Sequence, residues 1–233
     1  MPYNSPIDVF IDEGAARQIG AINTKLFSQD FNDNDFMPAE FCFAAQDAVS
    51  HVTLSANKNP QLGWENLPEG TQSLVLICHD PDVPTRPDDV NQEGRTVPAT
   101  LPRADFYHWL LLDIPASRHE ILAGSHSAGV TTGGKAGPQA PEGLRHGIND
   151  YTAWFSGDAT MAGTWFGYDG PCPPWNDEIV HHYIFTLYAL GTPSLNVEGE
   201  LTSDNIKRAL SKVDVLGTAS LTGLYSLNPA VTG

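Results

Sequence analysis

Four short segments carry polar side chains where polarity is costly, and they set out the chemistry this chain can attempt. Asp80-Pro81-Asp82-Val83-Pro84 puts two carboxylates between prolines. Fixed φ and missing donors make the segment a stiff turn, predicted to close the strand before it. His108 stands inside the apolar run Tyr107-His108-Trp109-Leu110-Leu111-Leu112. Gly170-Pro171-Cys172-Pro173-Pro174 is too rich in proline for helix or central strand and predicts a stiff loop wall. In Val180-His181-His182-Tyr183-Ile184-Phe185, period-2 alternation places His181, Tyr183 and Phe185 on one face and His182 on the other.

An imidazole and a phenol on one face can serve a common pocket. His108 and His181 would supply positive charge or N–H donors, Tyr183 a hydroxyl, and Asp80 would orient a histidine and keep its pKa up. Toward an anionic ligand such a set would give an affinity that falls as pH rises through the histidine range. The pocket is expected to be small and polar, so a bare anionic head would bind weakly. Two aspartates with two histidines also admit a different class, a metal-dependent hydrolase. Against that alternative, there is no H-x-x-x-H or other tight ligand pair and no activated nucleophile. The expectation is a binding protein rather than an enzyme, with no catalytic residue, metal or cofactor assigned.

Other motifs fall short. Gly129-Val130-Thr131-Thr132-Gly133-Gly134-Lys135 fits the first seven positions of a phosphate-binding loop, but Ala136 replaces the hydroxyl that would hold magnesium. Asp30-x-Asn32-x-Asn34 opens like a calcium loop, yet Asp35 stands in place of the glycine and Phe41 in place of the closing glutamate. Three cysteines, Cys42, Cys78 and Cys172, make no disulfide framework and read as buried thiols, with a single Cys42–Cys78 bridge left open.

The elements that must position these residues are mainly strands. Ser73–Cys78 is a short apolar run of the kind buried on both faces, His51–Ser55 alternates, and Tyr107–Ile114 and Val180–Leu190 are longer runs. One helix is convincing: Ser203 caps it, Asp204 sits in its first turn, and Ile206, Leu210 and Val213 share a face. Val215–Tyr225 reads as a last strand interrupted by Gly217 and Gly223. A weak helical hint lies at Glu13–Ile19 within a peripheral N-terminal segment, residues 1–29. The stretch 115–169 is too long for an ordinary loop and is predicted to be a functional excursion, a candidate lid. Few helices and no regular βα alternation favour a mainly β architecture.

The chain has 233 residues, which suits one large domain. Acidic side chains number 28 against 12 basic ones, a net charge of −16. So negative a surface repels phosphate backbones and anionic headgroups, which argues against nucleic acid and bulk membrane adsorption. Any anion must be caught locally. No basic start precedes an apolar run and no stretch approaches the roughly 18 apolar residues of a membrane span, so the cytoplasm is the expected location.

The order of Asn59-Pro60-Gln61-Leu62-Gly63-Trp64, Asp80-Pro81-Asp82-Val83-Pro84, Tyr107-His108-Trp109, Gly170-Pro171-Cys172-Pro173-Pro174, His181-His182-Tyr183 and Thr222-Gly223-Leu224-Tyr225 resembles the phosphatidylethanolamine-binding protein family. The likeness is closest to its prokaryotic Raf-kinase-inhibitor-like branch and spans about residues 30–228. It implies a β-sandwich of two sheets with a few short helices, and a pocket for a phosphate or phosphorylethanolamine-like head. Carried over by motif, the pocket residues are Asp80, Asp82, His108, Gly170, Pro171, Cys172, His181 and Tyr183. The resemblance also implies a regulatory role toward a kinase or protease partner and, by analogy, a homodimer; it implies no settled catalytic activity. Two departures stand out. His182 replaces the arginine of an H-R-Y triplet, though on the face turned away from the pocket, and Trp175-Asn176-Asp177-Glu178 replaces the usual glycine after the prolines, which could reshape the mouth.

Overall fold

Strands make up most of the regular structure in a computed structural model that describes residues 23–232. In chain order they are β1 (Lys25–Phe27), β2 (Asp35–Phe36), β3 (Ala44–Asp47), β4 (His51–Leu54), β5 (Leu62–Glu65), β6 (Ser73–Pro84), β7 (Arg103–Pro115), β8 (Glu120–Ile121), β9 (Arg145–His146), β10 (His181–Leu190) and β11 (Val215–Tyr225). Two α-helices, α1 (Tyr151–Trp154) and α2 (Ser203–Leu210), and two short 3-10 turns, Ala39–Phe41 and Pro141–Gly143, complete the described set. The helical hint at Glu13–Ile19 and most of the segment 1–29 lie outside the described residues. No helix among those described is long and apolar enough to cross a membrane.

A six-stranded mixed sheet, ordered β2-β11-β10-β6-β7-β9, is the frame. Its centre is antiparallel, with β6 between β10 and β7. The pleat of β6 explains why its apolar run is unbroken. Leu74, Leu76 and Cys78 enter one core with Trp109, Leu111, Phe185 and Leu187. Val75 and Ile77 enter a second core on the opposite face, under Ile206, Ala209 and Leu210 of α2. The first core is closed by the small sheet β1-β5-β8 through Leu26, Leu62, Trp64 and Ile121. Each fully buried leucine or phenylalanine contributes about 1.5–3 kcal/mol.

Four local readings need correction. The Asp80–Pro84 segment is not a turn closing the strand: β6 runs through it, and the two prolines are accommodated by an irregularity in the β6–β7 pairing between Asp80 and Val83. The cap of α2 is Thr202, whose Oγ1 accepts from Asn205 N at 3.4 Å; Ser203 is already helical and Val213 lies past the helix end. β11 runs through Gly217 and Gly223, with the β10–β11 register shifting beside Gly217 but not at Gly223; a Cβ at Gly223 would collide with Met37 Cγ, so the glycine is there to admit that side chain. The stretch 115–169 as a whole is not a lid. Ile121, Leu144, Trp165 and Tyr168 within it belong to the first core, and Trp165 and Tyr168 have no exposure at all.

Candidate ligand-binding site

β10 delivers His181 and Tyr183 inward and His182 outward, as the alternation requires. Facing His181, the bulged end of β6 turns Asp80 in and Asp82 out. His181 Nδ1 lies 2.7 Å from Asp80 Oδ2 and its Nε2 lies 3.0 Å from Asp177 Oδ2. Carboxylates only accept, so both ring nitrogens carry protons and His181 is an imidazolium. Burial alone would lower its pKa, but the hydrogen bonds to Asp177 and Asp80 more than reverse this and raise it to about 9. Asp177 in turn accepts two bonds from Arg103, Nη1 at 2.5 Å and Nη2 at 3.0 Å. Burial pushes the Asp177 carboxyl up, and the bonds from His181 and Arg103 outweigh it, so its pKa ends below the usual range. Carboxylate, imidazolium, carboxylate and guanidinium thus alternate through the protein below the site.

His108, on β7, is the opposite case. Its Nδ1 lies 2.7 Å from the Asp169 carbonyl oxygen, so that nitrogen carries the proton and the neutral ring presents Nε2 as an acceptor. Desolvation lowers its pKa to about 4. Asp169 is itself pinned: its carboxylate accepts from Lys135 Nζ at 2.6 Å, Asn57 Nδ2 at 2.8 Å and Asn149 Nδ2 at 2.9 Å. Burial raises the Asp169 pKa, and these three donors oppose the rise. The lysine of the near-miss phosphate loop is therefore spent on holding the segment that fixes the His108 tautomer.

Above these groups opens a cavity of about 770 Å³. Asp80, His108, His181 and Tyr183 line its floor, and the rest is mostly apolar: Phe43, Phe106, Tyr151, Phe155, Met161 and Cys172 among others. The Tyr183 hydroxyl is buried with no hydrogen-bond partner among the described residues. Burial and the nearby Asp80 charge push its pKa well up, so it stays a donor. Cys172 is likewise a neutral thiol, pushed up to about 12 by burial. Three rim segments are clasped at His51, whose ring stacks on Trp175 (centroids 3.9 Å apart, planes 9° apart) while Nε2 lies 2.6 Å from Glu93 Oε1. Tip of the β3–β4 hairpin, proline loop and the loop after β6 meet there.

Of the residues singled out from the sequence, Asp80, His108, Cys172, His181 and Tyr183 converge on this cavity. Asp82 does not. Its Oδ2 accepts from the backbone N of His182 at 2.9 Å and lies 2.8 Å from that ring's Nδ1, on the outer face. Gly170 and Pro171 are support behind the wall: Gly170 N donates to Asn57 Oδ1 and its carbonyl accepts from Tyr151 Oη, while the Pro171 carbonyl accepts from Phe43 N. The expected electrostatics also change. His181 has no N–H left for a ligand, and His108 is neutral because burial removes its charge, so neither is a free cation. The cavity is large and apolar rather than small and polar. Of the hydrolase alternative's donors, Asp80, Asp82 and His181 are engaged within the protein, and among the described residues no group of three or more His, Cys, Asp or Glu is placed to hold a metal ion.

Sequence reasoning missed Asp177 and Arg103, Asp169 and Lys135, and the aromatic wall. Asp177 left a trace as a carboxylate four residues before His181, and Lys135 as the lysine of the phosphate-loop near miss. All three cysteines are free, with Cys42 and Cys78 buried.

These titrations fix the pH response of the fold. Unfolded histidine titrates near about 6.5. His181, at about 9 when folded, contributes stability that is fully present below about 6.5 and is lost as pH rises through 9. His108 and His126 (about 4) and His146 (about 3), all lowered first by desolvation, act the other way: stability falls as pH drops from about 6.5 toward 4. Urea unfolding should therefore show maximal stability near about pH 7, where the gain from the three depressed histidines meets the loss from His181, and a net loss of about 1 kcal/mol by pH 8.5. A flat profile between those two values would contradict the buried imidazolium.

Comparison with known proteins agrees with this architecture. A family model described as phosphatidylethanolamine-binding protein matches residues 27–226. A UPF0098 protein of Methanothermobacter thermautotrophicus is 30% identical over 195 residues, covering 84% of this chain and 93% of its own. One from Aquifex aeolicus is 28% identical over 208 residues, covering 88% and 90%. Among solved structures, Escherichia coli YbcL, described as a member of the mammalian PEBP family, superposes with a TM-score of 0.61 at 22% identity, covering 88% of this chain and 98% of YbcL. The homolog CT736 of Chlamydia trachomatis gives 0.57 at 23% identity, covering 88% and 97%.

Proposed function

This chain belongs to the phosphatidylethanolamine-binding protein family, and from that premise we propose that it is a non-catalytic small-ligand-binding protein whose cavity floor takes a phosphorylated or other protonatable acid head. The observation that carries this reading is the pairing, among the cavity-lining residues, of Tyr183 with the neutral His108, their rings edge to face with centroids 5.2 Å apart and the buried Tyr183 hydroxyl without a hydrogen-bond partner among the described residues. Tyr183 is a donor. His108 Nε2 is an acceptor. A phosphomonoester satisfies both only as its monoanion, with P=O accepting from Tyr183 and P–OH donating to His108. The proton that matters then belongs to the ligand, whose second ionisation lies near about 6.

Calorimetry with methyl phosphate from pH 5 to 8 tests this. Affinity should fall as pH rises through the ligand's ionisation, and methyl sulfate, which has no proton to give, should bind poorly throughout. Equal binding of the sulfate at pH 5 would mean that a protein group titrates instead and would overturn the assignment. Tyr183→Phe should weaken methyl phosphate roughly tenfold or more. The same substitution should leave the ligand-free fold as stable or slightly more so, because it removes an unsatisfied buried hydroxyl.

A further inference from the structure

The cavity is far larger than any acid head needs, and its walls are of one kind. Phe43 and Tyr151 stack with centroids 4.7 Å apart and planes 16° apart; Tyr151 and Phe155 follow at 5.6 Å and 16°. Trp154 stands at the mouth, about half exposed. Pro84, Pro87, Pro173 and Pro174 supply rigid plates elsewhere in the lining. The rings are held from behind: Tyr151 Oη donates to the Gly170 carbonyl at 2.7 Å, and Trp165 packs against Phe43, Tyr151 and Phe155. A chamber of about 770 Å³ is in the range that encloses a drug-sized molecule.

Preformed, flat, apolar walls favour a rigid guest. A fused ring system loses no internal rotors on entry and meets aromatic and proline faces in offset or edge contact, whereas a flexible chain of equal carbon count must freeze each of its torsions. We infer that the chamber is a subsite for an aromatic, two-ring-sized body attached to the acid head, so that the ligand class is an aryl phosphate or similar aryl acid rather than a bare head or an alkyl chain. This rests on the reading of the floor given above, and the chamber adds the part of the molecule that the floor does not touch. Trp154, Phe155 and Met161 come from the excursion after β9, which gives that segment its part in recognition.

The probes are methyl phosphate, 1-naphthyl phosphate, decyl phosphate below its micelle threshold, and naphthalene, titrated calorimetrically at pH 5.5. Naphthyl phosphate should bind about 100-fold more tightly than methyl phosphate. Decyl phosphate, with the same ten carbons, should fall short of the naphthyl compound by about fivefold or more. Trp154→Ala, at an exposed position that the fold tolerates, should reduce the naphthyl-to-methyl ratio several-fold, with Phe155→Ala as the second variant. A ratio below about five, or decyl phosphate equal to or tighter than naphthyl phosphate, overturns the inference and leaves the reading of the floor standing. Naphthalene binding as tightly as its phosphate, and unaffected by Tyr183→Phe, would instead overturn the floor while keeping the aromatic chamber.

Discussion

Asp177→Ala should lower folding stability by about 3–5 kcal/mol in urea denaturation, the cost of opening a buried ion-pair array from its middle. The Asp177 side chain has no exposure and accepts from both Arg103 and His181. Without it, Arg103, itself only 12% exposed, keeps the carbonyls of Asp82 and Pro98 but no counter-charge. His181 keeps Asp80 and loses the bond from Nε2, the one of the two that does more to hold its proton. The stability loss between about pH 7 and 8.5 should shrink in the same variant, which a merely steric defect would not produce. Asp177→Asn preserves volume and should recover part of the stability. A change under about 1 kcal/mol for the alanine variant would mean that the array does not hold β10 to the loop before it.

Gly170→Ala should be nearly as damaging, about 3 kcal/mol, for a steric reason. A Cβ there would overlap the Phe41 carbonyl oxygen and press on Cys42 Cα and Tyr168 Oη, each at 3.0 Å. None can yield easily. Phe41 O already accepts from Tyr168 Oη at 2.6 Å, and Gly170 N is committed to Asn57 Oδ1 at 2.8 Å. Relief has to come from moving Pro171 and Cys172, so ligand affinity should fall along with stability. Gly157→Ala, where the new Cβ meets nothing within 4 Å, is the control and should stay within about 0.5 kcal/mol in the same unfolding experiment.

Much of the frame was legible because strand periodicity is local. Alternation alone placed His181 and Tyr183 inward and His182 outward, and an unbroken apolar run identified β6 as buried on both faces. The polar motifs led to the right neighbourhood for the same reason: Asp80, His108, Cys172 and Tyr183 are each costly where they stand. Charge state was not legible. Whether a histidine is a cation depends on which atoms of distant segments reach its two nitrogens, and the Asp169 carbonyl and the Asp177 carboxylate gave His108 and His181 opposite fates. The walls were hidden for a related reason, since Phe43 and Phe155 lie outside the regular elements and Tyr151 opens a helix of four residues, too short for a period to show. Asp82 was misplaced because a motif lists residues without saying which way an irregular strand turns them.

The alternating charges beneath the chamber cancel, so the floor offers an acid ligand hydrogen bonds without a local surplus of positive charge. The molecule as a whole, at −16, still repels that ligand from a distance. Dissolved ions act unequally on these two facts. At about 0.15 M the Debye length is about 8 Å, which blunts the long-range repulsion, while groups sealed in the interior are hardly screened. Raising ionic strength therefore eases the approach of an anion to this protein, the reverse of what holds where exposed lysines and arginines do the attracting.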